Sequence, residues 1–207
     1  MWHATPSHDR RYVTMDLGFV ISHDAMHFHE PVRGFRFIPA REEHGSTVGF
    51  GPALMQGQGM ENFGDKTFYW YSLWRSDGQV RLATWGRDRL GYVKPSQPNS
   101  RAMLITCPLL VIDESQKVFL NVDGLGEYTG VRVEVLDFEF RPVAGYSGEG
   151  SPILRESGLR VPVRWKEGNT LPKSDGPVRL LLNFGQLSPD SIRPEDARLY
   201  ALYVGQA

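Results

Sequence analysis

Two carboxylates, Glu61 and Asp16, are the first candidates for chemistry in this sequence. Glu61 sits in Gly57-Gln58-Gly59-Met60-Glu61-Asn62, where flanking glycines let a ligand approach the backbone closely. Gln58, between those glycines, is taken as a substrate contact. Asp16 opens the strand-like stretch that runs on into LGFVIS. Two carboxylates about 5–10 Å apart around a glycosidic bond are the minimum apparatus for cleaving it. The plainer alternative makes Glu61 a cap on the turn before Asp65, and Asp16 an ordinary turn acid.

Histidines form the second candidate group. All six lie near the start of the chain, at His3, His8, His23, His27, His29 and His44. In a strand, His27 and His29 would share one face and could hold Zn or Cu together with Glu30 or His23. That spacing is unspecific, and a solvated histidine is the default. Aromatic residues are the third group. Tyr69 and Tyr71 alternate with Phe68 and Trp70, so one set faces a core and the other does not. Trp74, next to Arg75 at the end of the run, is the ring expected to stack on a sugar. Asp113-Glu114 and Asp123 with Glu127 could bind a structural Ca through loop oxygens, but no EF-hand loop is present and ordinary turn acids are the default. Cys107, the only cysteine, lies in the apolar run MLITCPLLVI and is expected to be buried and inert. Ser147, in Gly145-Tyr146-Ser147-Gly148, misses the spacing and the β/α setting of a nucleophile elbow.

The elements that position these residues are all strands. Gly and Pro are frequent, and no segment sustains a helical period. A repeat is present: Asp24-Ala25-Met26-His27-Phe28-His29-Glu30-Pro31 aligns with Asp88-Arg89-Leu90-Gly91-Tyr92-Val93-Lys94-Pro95. Each copy follows a strand-like run, LGFVIS or VRLATW, and their interval somewhat exceeds the ~40–50 residues of a propeller blade. Between the copies, 53–62, 67–74, 79–85 and 91–94 read as a four-stranded meander, with turns at Gly64-Asp65-Lys66 and Ser76-Asp77-Gly78. Residues 32–50 read as a connecting loop. After the polar boundary 94–100, strands are expected at 103–110, 117–122, 131–140, 159–165, 178–184 and 197–204, with at most one helical turn at 193–196. The near-neutral balance, 23 basic against 24 acidic residues, leaves no electrostatic footprint for nucleic acid. No apolar run is long enough to span a bilayer, and the first residues carry no signal-peptide h-region.

DLGFVISHDAMHFHEP, with its second copy VRLATWGRDRLGYVKP, resembles the strand–turn–strand of five-bladed propeller glycosidases, family 32-like and family 43-like. LNVDGLGEYTGVRVEVLD, GYSGEG, SGLRVPVRW and PEDARLYALYV resemble the sandwich that follows such propellers. The resemblance implies an all-β chain: partial propeller blades over 1–95, about one and a half of them, then a jelly-roll-like β-sandwich over 101–207. It implies oligo- or polysaccharide partners and a secreted or periplasmic protein. It carries no catalytic residue over, because the family's catalytic motifs of the earlier blades have no counterpart here. Open blade edges point to a homo-oligomer. Three functions follow as expectations. A glycoside hydrolase with Glu61 and Asp16 leads, a non-catalytic carbohydrate-binding or assembly module is the alternative, and a His-dependent metalloprotein is third.

Overall fold

The computed structural model describes residues 2–4 (backbone only), 13–41, 52–74, 80–97, 102–113, 115–174, 176–184, 187–190 and 192–206, with the Gln58 side chain outside the description. The described residues are all-β: thirteen strands, two short 3-10 turns and no α-helix. None of their elements is a helix long and apolar enough to cross a membrane. The chain divides into two compact units, Met1–Trp85 and Gly86–Ala207.

The first unit holds two antiparallel three-stranded sheets. One orders β1 (Trp2–Ala4), β2 (Met15–Gly18) and β3 (Arg36–Ile38); the other is the consecutive meander β4 (Leu54–Phe63), β5 (Lys66–Leu73) and β6 (Val80–Gly86). A parallel bridge between Met15 and Ala53 links them. Gly64-Asp65 joins β4 to β5 as a two-residue turn. Gly64 has φ +59°, the left-handed conformation such turns require. Leu17, Ile38, Leu54, Tyr71 and Leu73 form the buried cluster, with Phe37, Tyr69, Ala83 and Trp85 packed on it. Phe37 stacks on Trp85 at 4.8 Å and meets Tyr69 edge-on at 5.5 Å, which makes Trp85 and Tyr69 core residues. β3 lies where the sequence suggested only loop. Its Ile38 pairs with Leu17 and fills the core, while 42–50 fall outside the described residues.

The second unit contains the antiparallel sheets β10-β9-β12-β7 and β11-β8-β13. Their strands are β7 (Met103–Ile105), β8 (Lys117–Asp123), β9 (Val131–Leu136), β10 (Ile153–Leu154), β11 (Gly158–Pro162), β12 (Arg179–Asn183) and β13 (Arg198–Gly205). Alternation places Val131, Val133 and Val135 of β9 and Leu180 and Leu182 of β12 in one core with Val118, Leu120 and Val122 of β8. Each such side chain contributes about 1.5–3 kcal/mol of burial, against the entropy of ordering the chain. Trp165 closes this core, and its indole N–H donates to the Val133 carbonyl at 2.7 Å. β9 stops at Leu136, short of the 131–140 strand expected. The Asp137 carboxylate accepts the Glu139 and Arg141 N–H groups, each at 2.9 Å, and turns the chain.

Two expectations fail here for a physical reason. Cys107 is exposed rather than buried, because on this sheet edge it alternates onto the side of Met103 and Ile105, which face outward, while Leu104 and Leu109 pack on the core. Residues 91–94 do not return to β6 as an outer strand. Val93 instead exchanges two hydrogen bonds with Leu199 of β13, at 2.8 and 2.9 Å.

Candidate functional site

The site built around Glu61 begins with an irregularity in β4. Gln56 pairs with Tyr71 and Met60 with Tyr69, so Gly57, Gln58 and Gly59 together oppose Trp70 alone. This is a β-bulge, a feature that bends a strand and re-aims its side chains. Only glycine fits at position 57, since a Cβ there would lie 1.7 Å from the Trp70 carbonyl oxygen. Gly59 passes beneath the Trp70 indole, where a Cβ would stand 3.6 Å from the ring. The Tyr69 phenol hydrogen-bonds the Gly57 backbone, so a polar group freed by the bulge finds a partner. Burial pushes the Tyr69 hydroxyl above the ordinary tyrosine range, with that backbone bond acting the other way.

Pairing decides the faces. Thr67, Tyr69, Tyr71 and Leu73 share one side of β5, and Tyr71 and Leu73 fill the core. Glu61 lies opposite Phe68, so Glu61, Phe68 and Trp70 stand on the other side. Phe68 and Trp70 stack at 6.0 Å. Trp74 extends the same row, because its N–H donates to the Ala53 carbonyl at 2.8 Å and prolongs the ladder. Its ring is 50% exposed and Phe63, also on this side, is 75% exposed. Glu61 itself is exposed. The outer face of β4–β5 thus combines a row of aromatic rings with one solvent-facing carboxylate.

Asp16 does not complete a carboxylate pair there. It is 7% exposed, and its two oxygens are engaged: one accepts the Ala40 N–H at 2.6 Å, the other faces Arg36 Nε at 3.0 Å. Its role is to tie β2 to the chain around β3, a contact between residues far apart in sequence that no local pattern announces. Arg75 lies outside the described residues, as does the side chain of Gln58.

His27 and His29 are not neighbours on a strand. Residues 23–28 form the turn of a small hairpin closed by the Ile21–His29 bridge. Within it the Asp24 carboxylate accepts the Met26 and His27 N–H groups at 2.9 and 2.7 Å and lies 2.5 Å from His27 Nδ1. His29 instead faces His23, with ring centroids 6.1 Å apart. Those bonds to Asp24, the His27 ring first, hold its carboxyl well below the usual carboxylate range. Among the described residues no group of three or more His, Cys, Asp or Glu could hold a metal ion. Of the acids considered for Ca, Asp113 accepts the Ser115 N–H and the Gln206 side-chain amide, and Asp123 faces Arg89 at 3.7 Å. Glu114 lies outside the described residues, and the Glu127 carbonyl accepts from Arg155.

A constellation that the sequence did not single out lies in the second unit. Asn121, fully buried on β8, accepts from Arg89 Nε at 3.0 Å and donates to the Arg87 carbonyl at 2.6 Å. Tyr203 donates to Asp88 at 2.5 Å. Burial first, and then that bond, push the Tyr203 hydroxyl above its ordinary value. These contacts strap residues 87–89 across the outer side of β8 and β13. The only hint in the sequence was Asn121 itself, a polar residue amid the apolar alternation of LNVDG. No protein-family model, no curated protein and no solved structure matches this chain.

Proposed function

We propose that the protein recognises carbohydrate on a glycoside hydrolase-like architecture, with β4–β6 serving as a propeller blade and the second unit as a jelly-roll-like sandwich. The observation that carries this reading is the outer face of β4–β5. Phe68, Trp70 and Trp74 line up there beside Glu61, next to a bulge that only glycine can form. Aromatic rings bind sugars through the apolar face of the pyranose, and a carboxylate accepts its hydroxyls. Cleavage needs a second carboxylate across the bond. Asp16 is held by Arg36 and Ala40, which supports recognition by Glu61 rather than paired-carboxylate hydrolysis.

Titration with xylohexaose, arabinohexaose and inulin oligosaccharides, with reducing-sugar release measured in parallel, tests the reading. One of these glycans should bind without being cut. Glu61→Gln and Trp74→Ala should each weaken that binding about tenfold, and Asp16→Asn should lower the melting temperature. Release of reducing sugar that disappears in Glu61→Gln overturns recognition in favour of hydrolysis. Binding unchanged in both variants removes the β4–β5 face from the account.

A further inference from the structure

Residues 92–94 lie antiparallel to 198–200 at the edge of the sheet β11-β8-β13, with Val93 directly opposite Leu199. That register sets Lys94 against Arg198 and Tyr92 against Tyr200, and side chains of opposed residues stand on the same side. The two tyrosine rings meet edge-on at 5.6 Å, as this register requires. Arg89 lies over the Tyr200 ring at 4.7 Å and Arg198 over the Tyr92 ring at 5.7 Å. Tyr200 is the extra residue of a bulge in β13, between Leu199 opposite Val122 and Ala201 opposite Asn121. Its partner Arg89 is fixed from behind by buried Asn121.

This ribbon is electrostatically unbalanced. Like charges directly opposite each other destabilise a strand pair, yet Lys94 and Arg198 are so placed, and both are exposed. Among the described residues neither has a carboxylate within ion-pairing distance. The nearest acid by register, Asp123 opposite Arg198, faces Arg89 instead. Asp88 is bonded to Tyr203 and faces Arg87 at 3.8 Å, and Asp196, two residues before Arg198, faces Arg193 at 2.9 Å. An anion seated between Lys94 and Arg198 would relieve the repulsion, and the adjoining Tyr92 ring, 51% exposed, offers apolar area beside it.

The geometry points to a second binding site, on this ribbon, for a sugar that carries a carboxylate: a uronic-acid residue stacked on Tyr92 with its carboxylate held by Arg198 and Lys94. Arginine suits the task because its planar fork matches a carboxylate with two parallel hydrogen bonds. The site is built from residues of the second unit and shares none with the β4–β5 face.

Calorimetric titration of the whole chain with hexagalacturonate, and with xylohexaose as its uncharged counterpart, decides the matter. Hexagalacturonate should bind, more weakly as salt rises. Arg198→Gln and Tyr92→Ala should each lower its affinity roughly tenfold, and Lys94→Gln should act in the same direction. Glu61→Gln should leave this binding unchanged, which separates failure here from failure of the β4–β5 reading. All four side chains are exposed, and circular dichroism checks that each variant folds. Absence of binding to the unmodified chain overturns the proposal, as does equal affinity in Arg198→Gln. Tighter binding of a single-stranded oligonucleotide at the same residues overturns the choice of a glycan.

Discussion

Two glycines two residues apart should respond oppositely to the same methyl group. At Gly57 the added Cβ would stand 1.7 Å from the Trp70 carbonyl oxygen, so β4 or β5 must give by more than an ångström. The obstacle is backbone, which cannot swing aside as a side chain can. Overpacking of this kind costs about 1–3 kcal/mol. Moving Gly57 also threatens its bond to the Tyr69 phenol, worth about 1 kcal/mol. Gly57→Ala should therefore destabilise the first unit by about 3 kcal/mol, a loss near the upper end for single substitutions. At Gly59 the same Cβ would make ordinary contact with the Trp70 ring at 3.6 Å, and no positive φ has to be kept. Gly59→Ala should be neutral or stabilising by up to about 1 kcal/mol, through the reduced freedom of the unfolded chain. Urea unfolding followed by hydrogen exchange of peptides from 54–73 measures both changes in the unit concerned. Equal stabilities of the two variants would refute the bulge, and with it the placement of Glu61 beside Phe68.

Three further outcomes follow from the contacts described. Asn121→Ala strips a fully buried group that bonds both Arg89 and the Arg87 carbonyl, and should cost about 1–3 kcal/mol in urea unfolding. Asp24 has a lowered folded pKa, so its contribution to the hairpin is complete above its unfolded pKa of about 4 and fades only as pH falls through the lower folded value. The amide resonances of Met26 and His27 should accordingly hold their positions below pH ~4, where ordinary carboxylates have titrated, and Asp24→Asn should abolish that behaviour. Tyr203 has a raised folded pKa, so its contribution is complete below about pH 10 and is lost as pH rises through the folded value. Ultraviolet titration should show late ionisation of both Tyr69 and Tyr203, and Tyr203→Phe should remove one of these two late phases.

Much of the strand content was legible in the sequence, because alternation reports directly on a half-buried strand. Val131-Arg132-Val133-Glu134-Val135 reads as β9, with its valines inward, and they are. The Gly64-Asp65 turn was legible for a different reason, the positive φ that a tight hairpin demands. Alternation tells which face a residue takes, but not which strand lies beside it. That is why 91–94 were expected to return to β6, when Val93 joins Leu199 instead. The candidate site was harder still. Glu61 is exposed on β4 among aromatic rings, whereas Asp16 is fixed by Ala40 and Arg36, partners that only the folded chain brings near. His27 and His29 share a face only if both lie in a strand, and the side-chain bonds of Asp24 put His27 in a turn.

The repeated octapeptide shows how far similar residues can part once their surroundings differ. In the first copy the aspartate, Asp24, spends its oxygens within its own turn, on Ser22, Met26 and His27, and His29 closes back on Ile21. The corresponding aspartate of the second copy, Asp88, has φ +56° and bonds a distant tyrosine, Tyr203. Its neighbour Arg89 reaches buried Asn121. A copy that caps itself needs no neighbour, so it can end a hairpin in solvent. In the second copy the residues after the aspartate pair with another edge instead. Leu199 supplies the edge, and the pairing carries Tyr92 and Lys94 to Tyr200 and Arg198. Tyr203→Phe, by releasing Asp88, should loosen the ribbon and weaken hexagalacturonate binding without removing any group that would touch the sugar.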